Sequence, residues 1–346
     1  MDSTNKVRNI YNKSKSIQLK GVAILLMVFL HVFFHSTKNT SNNYVLSVFG
    51  GENYSIINIL LKLAHICVPL FIFAAGYAAC VLVEKDSFSF KKIVGKLYPK
   101  IWIVLIIFVP IMIAMGKANL DPVEMLLNAT GFYYSYCKEW WFFGLYIALS
   151  LLLLILKKTN ILSHTVLLIA ISVFLMVVGY GIKIVYPKFI YDVVGGQVYP
   201  FLIKQPIYFS GYLCYKYSIF ERIVNSFKHK WYYLLILLWL FEFTNIPESF
   251  YLPFVVPGVV LVLTEMKKGK VIEKILEFLG KNSTYMWLTH SILIFSVATN
   301  VVYFFHYSVI DYLVVLVLDI PIAIALNYLE KAIRKGFGKI ISACKS

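Results

Sequence analysis

The stretch LKGVAILLMVFLHVF, residues 19–33, decides the fold class. It is an apolar run with Lys20 near one end and His31 near the other. Eleven steps at about 100° per residue return to within about 20° of the start, so both side chains share one helix face, roughly 16 Å apart along the axis. If Lys20 marks the cytoplasmic end of a membrane-spanning helix, His31 lies about halfway across a hydrocarbon core of roughly 30 Å. A histidine at that depth is costly and usually functional.

The rest of the chain has the same apolar character. Of its 346 residues, 60% are hydrophobic and only 14% are charged, and the mean hydropathy is +0.76. A soluble protein of this length cannot bury so much apolar surface, and backbone groups in lipid must bond within helices. We therefore predict an all-α polytopic membrane protein, built as a single domain over 1–346 with short cytoplasmic tails at 1–16 and 331–346.

Apolar runs near twenty residues long predict ten transmembrane helices. Their expected ranges are 17–36, 55–83, 99–116, 140–156, 162–182, 198–217, 231–246, 250–265, 284–304 and 309–329. The seventh and eighth runs are short, so they also fit a re-entrant pair. Most of the 33 lysine and arginine residues fall in the segments that this count places on the inner side. Because such residues concentrate in cytoplasmic loops, both termini are predicted to be cytoplasmic.

The charge balance of the chain is strongly basic. A formal net charge of +16 would suggest nucleic acid as the partner of a soluble protein. Here the excess lies in short loops between apolar runs, where it sets orientation in the membrane. We therefore expect no nucleic-acid partner, and instead expect contacts with anionic membrane lipid or with a phosphorylated co-substrate.

A basic run follows the second apolar segment. In FSFKKIVGKLYPKIW, residues 88–102, Lys92 and Lys96 belong to a cluster of lysines on the predicted cytoplasmic side. One interpretation is that these lysines only set the orientation of the neighbouring helices in the membrane. The other is a phosphate-binding surface, because lysines bind phosphates as point charges.

Aromatic residues mark an outer boundary at KEWWFFGLY, residues 138–146. Trp140 and Trp141 suit an interfacial aromatic belt, and their flat faces also suit stacking on a sugar ring. Glu139 could act as an acid near the outer surface, although a glutamate in a solvated loop is the ordinary interpretation. These residues are candidates for contact with a sugar substrate.

A second intramembrane histidine lies near the C-terminus. In LGKNSTYMWLTHSIL, residues 279–293, a polar opening that includes Tyr285 precedes His290 inside an apolar helix. The cysteines are odd in number and no CxxC occurs, so we expect no metal site.

Five segments, in this order, resemble the motifs of membrane-bound acyltransferase family 3. LKGVAILLMVFLHVF resembles its opening of arginine or lysine, ten residues and histidine, and VPLFIFAAGY resembles its second-helix pattern. The other three are the basic run FKKIVGKLYPKIW, the helix start EWWFFGLY and the segment LGKNSTYMWLTH. Three features depart from the common pattern: Lys20 and the lysines of the basic run replace arginines, Ala75 replaces a serine, and Trp287 stands at a tyrosine position.

The resemblance implies an O-acyltransferase of the plasma membrane. It would move an acyl group, usually acetyl from acetyl-CoA on the cytoplasmic side, to a hydroxyl of a surface glycan or its lipid-linked precursor. His31 would act as a general base or carry the acyl group, and Lys20, Lys92 and Lys96 would bind donor phosphates. The residues proposed to contact the acceptor or orient His31 are Glu139, Trp140, Trp141, Tyr285 and His290.

Two other functions fit the same sequence. One is a polysaccharide or lipid-linked sugar exporter without catalysis, and the other is a non-catalytic partner of a glycan synthase. The exporter would need a continuous polar path, whereas the intramembrane charges here are few. The identity of the acyl group, the acceptor glycan and the oligomeric state are left open by the sequence.

Overall fold

The computed structural model describes residues 10–38, 55–192, 194–227 and 246–343, and this part of the chain contains no β-strand. Its helices are α1 (Lys13–Lys38), α2 (Ser55–Ala64), α3 (Cys67–Glu84), α4 (Phe90–Ala114), α5 (Pro122–Ala129), α6 (Trp141–Lys158), α7 (Thr165–Val185), α8 (Gly195–Lys216), α9 (Ile219–Phe227), α10 (Glu248–Glu265), α11 (Lys270–Ile292), α12 (Thr299–Val302) and α13 (Ser308–Ala343).

Seven segments of the described chain are long and apolar enough to cross a membrane. They are Lys13–Phe34, Ile59–Glu84, Phe90–Ala114, Lys138–Lys158, Thr165–Val185, Glu248–Glu265 and Ser308–Gly336. The protein is therefore an all-α, multi-pass membrane protein in its described part. The count of ten and the cytoplasmic placement of the termini stay predictions, and all but the last residue of the predicted helix 231–246 lies outside the described residues.

Two of the predicted spans form helices that are more polar than the seven segments named above. The run 198–217 folds as α8, which carries Lys204 and Gln205 in its middle. The run 284–304 begins earlier than predicted, because the amphipathic stretch from Lys270 onward is already part of α11. That helix ends at Ile292 and continues as a π-helical turn.

The second predicted span, 55–83, is divided between α2 and α3. The chain leaves α2 after Ala64 and enters α3 at Cys67. Pro69 lies in the first turn of α3, where the missing N–H costs no helical hydrogen bond. The break therefore lies just before the proline rather than at it.

The chain divides into two compact units that each contain discontinuous segments. Unit 1 comprises Met1–Ala23, Ile66–Phe90 and Leu145–Glu277, whereas unit 2 comprises Ile24–His65, Lys91–Gly144 and Phe278–Ser346. Both α1 and α11 contribute residues to each unit. The prediction of one domain over the whole chain is not tested by this division and stays a prediction.

Unit 1 is built around a close contact between α3 and α8. A Cβ added at Gly76 would lie 1.8 Å from the main-chain oxygen of Tyr208, and one at Gly211 would lie 2.3 Å from that of Phe73. Each helix thus places a glycine against the backbone of the other, which is a common way to bring membrane helices together. The helices α7 and α10 also pack on α8.

Unit 2 is held together by polar contacts between α11 and α13. The bonded pairs are Asn282 with Asn327 at 2.8 Å, Tyr285 with Glu330 at 3.1 Å and Thr289 with Asp319 at 2.5 Å. Such bonds matter inside a membrane protein because a buried polar group without a partner is costly. They fix the face that α11 turns toward α13, and with it the direction of the residues near His290.

Candidate functional site

Two histidines meet inside unit 2. His31 Nδ1 on α1 lies 2.8 Å from His290 Nε2 on α11. The ring centroids are 5.0 Å apart, and the angle between the ring planes is 26°. His290 is completely buried, with 0% of its surface exposed, while His31 is half-buried. The more accessible ring is therefore that of His31.

The contacts of His290 determine which ring nitrogens of the two histidines carry a hydrogen. Its Nδ1 lies 3.0 Å from the carbonyl oxygen of Met286 and 2.9 Å from that of Trp287. Carbonyls only accept, so His290 Nδ1 carries the hydrogen, and the Nε2 of the neutral ring is an acceptor. His31 Nδ1 then donates to His290 Nε2. The Nε2 of His31 is left with its lone pair, which is the form required of a base or nucleophile.

Neighbouring groups hold the two rings in place. The Oγ of Ser291 lies 3.0 Å from His290 Nε2. Phe295 meets the ring of His31 edge-on, with centroids 6.2 Å apart. Phe295 belongs to the π-helical turn Leu293–Val297 that follows His290. Such turns occur frequently at functional sites, because they redirect the side chains of a helix.

Glu139 and Trp140 are bound to the turn of α11 that carries His290. The indole N–H of Trp140 donates to the carbonyl of Leu288 at 3.0 Å, and that of Trp287 donates to the carbonyl of Glu139 at 3.3 Å. Trp140 is 1% exposed. Its position therefore suits holding α11 better than stacking on a sugar at the surface, whereas Trp141 is half-buried and Glu139 is half-buried.

Tyr285 lies in a separate polar cluster. It is completely buried, and its hydroxyl donates to Glu330 Oε2 at 3.1 Å. Lys100 Nζ is 2.5 Å from the same carboxylate oxygen and 4.2 Å from the centre of the Tyr285 ring. Arg334 Nε binds the other oxygen of Glu330 at 2.8 Å. The structure thus groups Tyr285 with charged residues of α4 and α13 and not with the two histidines.

The predicted donor-binding lysines fall in both units. Lys92 and Lys96 are exposed near the start of α4, in unit 2. Lys20 is half-buried on α1 and belongs to unit 1. The charge of Lys100, a further lysine of the basic run, is already balanced by Glu330. The roles of Lys20, Lys92 and Lys96 in donor binding stay predictions.

Three residues of this region, Glu330, Arg334 and His65, were not found from the sequence. Glu330 and Arg334 have the spacing of an ion pair one helical turn apart, which is a usable signal. Asp319 is bonded to Thr289, the neighbour of His290 in the chain. His65, which directly follows α2, is near enough to interact electrostatically with His31. Among the described residues, no group of three or more His, Cys, Asp or Glu side chains could hold a metal ion.

This arrangement can remove a proton from a hydroxyl group that reaches His31 Nε2. A half-buried imidazole whose Nε2 keeps its lone pair is oriented by a buried second ring, as in other base–orienter pairs. Residues 16–328 match the profile of the acyltransferase domain that defines the acyltransferase 3 family. The chain belongs to the acyltransferase 3 family. Searches of curated proteins and of solved structures found no match.

The ion pairs of Glu330 lead to a prediction about the stability of the protein. In a Glu330→Gln protein, Lys100 loses its counter-charge while only 19% of its side chain is exposed. Hydrogen bonds to charged groups are worth about 2 kcal/mol, so we expect a clearly lower midpoint of thermal unfolding in detergent. Glu84→Gln, a change of an exposed glutamate at the end of α3, is the control and should leave the midpoint unchanged. Equal midpoints for the two variants would show that the cluster contributes nothing to stability.

Proposed function

We propose that the protein is an O-acyltransferase of the plasma membrane. It moves an acyl group, most simply acetyl, from acyl-CoA on the cytoplasmic side to a hydroxyl of a surface glycan or its lipid-linked precursor. The observation that carries the proposal is the hydrogen bond between His31 and His290, because it leaves the Nε2 of His31 free to accept a proton. Membership of the acyltransferase 3 family supports the reaction class.

The chemical step depends on the lone pair of His31 Nε2. His31 Nε2 takes the proton of the acceptor hydroxyl as the hydroxyl oxygen attacks the thioester carbonyl. The new C–O bond forms, the C–S bond breaks, and the proton held by His31 passes to the departing thiolate. His290 accepts the Nδ1 hydrogen throughout, so it stabilises the positive charge that develops on the ring of His31.

Charged and aromatic residues support the proposed positions of the acyl donor and the acceptor. Coenzyme A carries several phosphates, and the exposed Lys92 and Lys96 provide cations for them near the start of α4. Trp141 and Glu139 are half-buried and follow the loop before α6. We assign them to the acceptor, Trp141 by stacking on a sugar ring and Glu139 by a hydrogen bond to a hydroxyl.

The glycans of cells with and without this protein test the proposal. Cells that make it should carry a surface glycan whose mass is larger by one acyl group, and mild alkali should remove the increment because it breaks esters. Identical glycan masses in the two strains would contradict acyl transfer. Unmodified glycan that reaches the surface only in cells with the protein would instead support an exporter.

The role of His290 predicts a graded effect. A His290→Leu protein has no acceptor for the Nδ1 hydrogen of His31, so we expect kcat to fall by at least about tenfold, with little change in KM. His290→Gln restores an acceptor oxygen and should recover part of the loss. The measurement is the initial rate of thiol release from acetyl-CoA at several acceptor concentrations. Equal rates for the leucine and glutamine variants would contradict the positioning role.

A further inference from the structure

Asp319 of α13 is a buried acid that the proposed chemical step does not use. None of its surface is exposed, with a relative exposure of 0%. Its Oδ1 lies 2.5 Å from the hydroxyl oxygen of Thr289 on α11, and its Oδ2 has no hydrogen-bond partner among the described residues. In the same part of the chain, Asp319 belongs to no ion pair. A carboxylate anion here would be a buried charge held by one hydrogen bond, which is costly inside a membrane protein.

The contacts of the Thr289 hydroxyl show where the hydrogen of this bond lies. The hydroxyl oxygen is 2.7 Å from the carbonyl oxygen of Tyr285, one helical turn earlier on α11, and 2.5 Å from Asp319 Oδ1. A hydroxyl group has one hydrogen to donate, and a carbonyl oxygen can only accept. Helical threonines commonly donate to the carbonyl one turn earlier. With that bond made, the hydrogen between Thr289 and Asp319 has to come from the carboxyl group.

The opposite assignment is less favourable because of burial. If Thr289 donated to Asp319, the contact with Tyr285 would hold no hydrogen, and the acid would keep a full negative charge without a cation. With the carboxyl group as donor, both short contacts hold a hydrogen, and only a neutral carbonyl oxygen, Oδ2, is left without a partner. A buried neutral acceptor costs far less than a buried charge. Carboxylic acids in apolar sites are known to stay neutral at neutral pH and to donate a hydrogen bond.

We propose that Asp319 is a neutral carboxylic acid that donates a hydrogen bond to Thr289 and thereby positions His290. Thr289 directly precedes His290, and successive side chains of a helix differ in direction by about 100°. The bond to α13 therefore sets the direction in which His290 faces His31, whose Nδ1 is 2.8 Å from His290 Nε2. This inference rests on the proposed function, in which His290 orients the base. Asp319 is a positioning residue, because it acts through Thr289 and His290.

Infrared spectroscopy measures the protonation state without any need for activity. The carbonyl stretch of a carboxylic acid is separate from the bands of carboxylates and amides. In a detergent without ester groups at neutral pH, the spectrum of the wild-type protein minus that of Asp319→Asn should contain this acid band. Glu330→Gln is the control, because Glu330 is paired with Lys100 and Arg334 and should lose only carboxylate bands. Absence of the acid band from the Asp319 difference spectrum would overturn the proposal.

A conservative and a non-conservative variant test the positioning role. Asp319→Asn offers Thr289 an amide hydrogen in place of the acid hydrogen, so kcat should stay within about threefold of the wild-type value. Asp319→Leu has no donor, and the misplaced His290 should lower kcat by at least about tenfold with little change in KM. An Asp319→Asn protein that folds normally and is as inactive as Asp319→Leu would overturn the proposal, since a neutral donor would not then be sufficient.

The other partner of the bond supplies an independent test. Thr289→Val removes the acceptor for Asp319 and should lower kcat as Asp319→Leu does, and the double variant should be no worse than either single variant. Thr159→Val is the matched control. It removes the same kind of bond, from the Thr159 hydroxyl to the carbonyl of Ile155, at an exposed site, and it should leave the rate unchanged. Losses that multiply in the double variant would overturn the pairing of Asp319 with Thr289.

The infrared and kinetic results together separate this proposal from the proposed function. An acid band from Asp319 in a wild-type protein that transfers no acyl group would contradict the proposed function alone. Acyl transfer by a wild-type protein without that band would overturn the present proposal and leave the proposed function in place.

Discussion

We expect replacement of His31 with alanine to abolish acyl transfer and to leave the protein folded. Loss of a general base lowers kcat by about a hundredfold to ten-thousandfold, and the alanine variant also loses the donor to His290. The KM for the acyl donor should change little, since the proposed phosphate contacts, Lys92 and Lys96, lie on α4. The measurement is the initial rate of thiol release from acetyl-CoA by purified protein, with the acceptor present.

Two further variants make this result specific to His31. His31→Gln retains an amide N–H for His290 but no basic nitrogen, so it should be as inactive as the alanine variant. His164→Ala changes an exposed histidine just before α7 and should keep the wild-type rate. A His31→Ala protein with the wild-type melting temperature and the wild-type rate would exclude the proposed role of this residue.

Gly76→Ala is expected to have the largest effect on folding. The added Cβ would lie 1.8 Å from the main-chain oxygen of Tyr208 and 2.8 Å from its carbonyl carbon, so α3 must move away from α8. Main-chain atoms cannot rotate aside as side chains can. We expect a loss of stability at or above about 3 kcal/mol, and little folded protein from membranes by size-exclusion chromatography.

The same substitution at Gly181 is the matched control. Gly181 lies on α7, and no atom is within 4 Å of a Cβ built there, so Gly181→Ala should be neutral or slightly stabilising. Gly211→Ala, on the α8 side of the same contact, should behave as Gly76→Ala does. Normal yield and normal thermal stability of the Gly76→Ala protein would mean that α3 and α8 are not packed as described.

Local composition was enough to find most of the spanning helices. The runs near α1, α4, α6, α7, α10 and the first part of α13 were predicted from apolar length, because entry into lipid depends mainly on the residues of the segment itself. The early start of α11 was missed. Its first turns alternate charged and apolar residues, so hydropathy averaged along the chain falls there although the helix continues.

The contacts at the site could not be predicted in the same way. Both histidines stand out as polar residues in apolar runs, but they are 259 residues apart in the chain. Their meeting depends on how α1 packs against α11 in unit 2. The direction that α11 faces depends in turn on its polar pairs with α13, such as Thr289 with Asp319. The tautomer of His31 depends in turn on the carbonyls that face His290.

Tyr285 and Trp140 illustrate the limit of motif-based reasoning. Both were selected as candidates to contact the acceptor or orient His31. The structure places Tyr285 with Glu330 and Trp140 in the interior, bonded to the main chain of Leu288. A motif marks residues that matter for a family, but only the contacts show whether they face a substrate or hold a helix.

Transfer of label by the purified protein tests the proposed acyl transfer most directly. The wild-type protein in proteoliposomes is given radiolabelled acetyl-CoA and a lipid-linked glycan, with no other protein present. We expect the label to become bound to the glycan as an alkali-labile ester and one free thiol to appear for each ester formed. Label that stays on coenzyme A while unmodified glycan crosses the bilayer would contradict acyl transfer and identify a carrier.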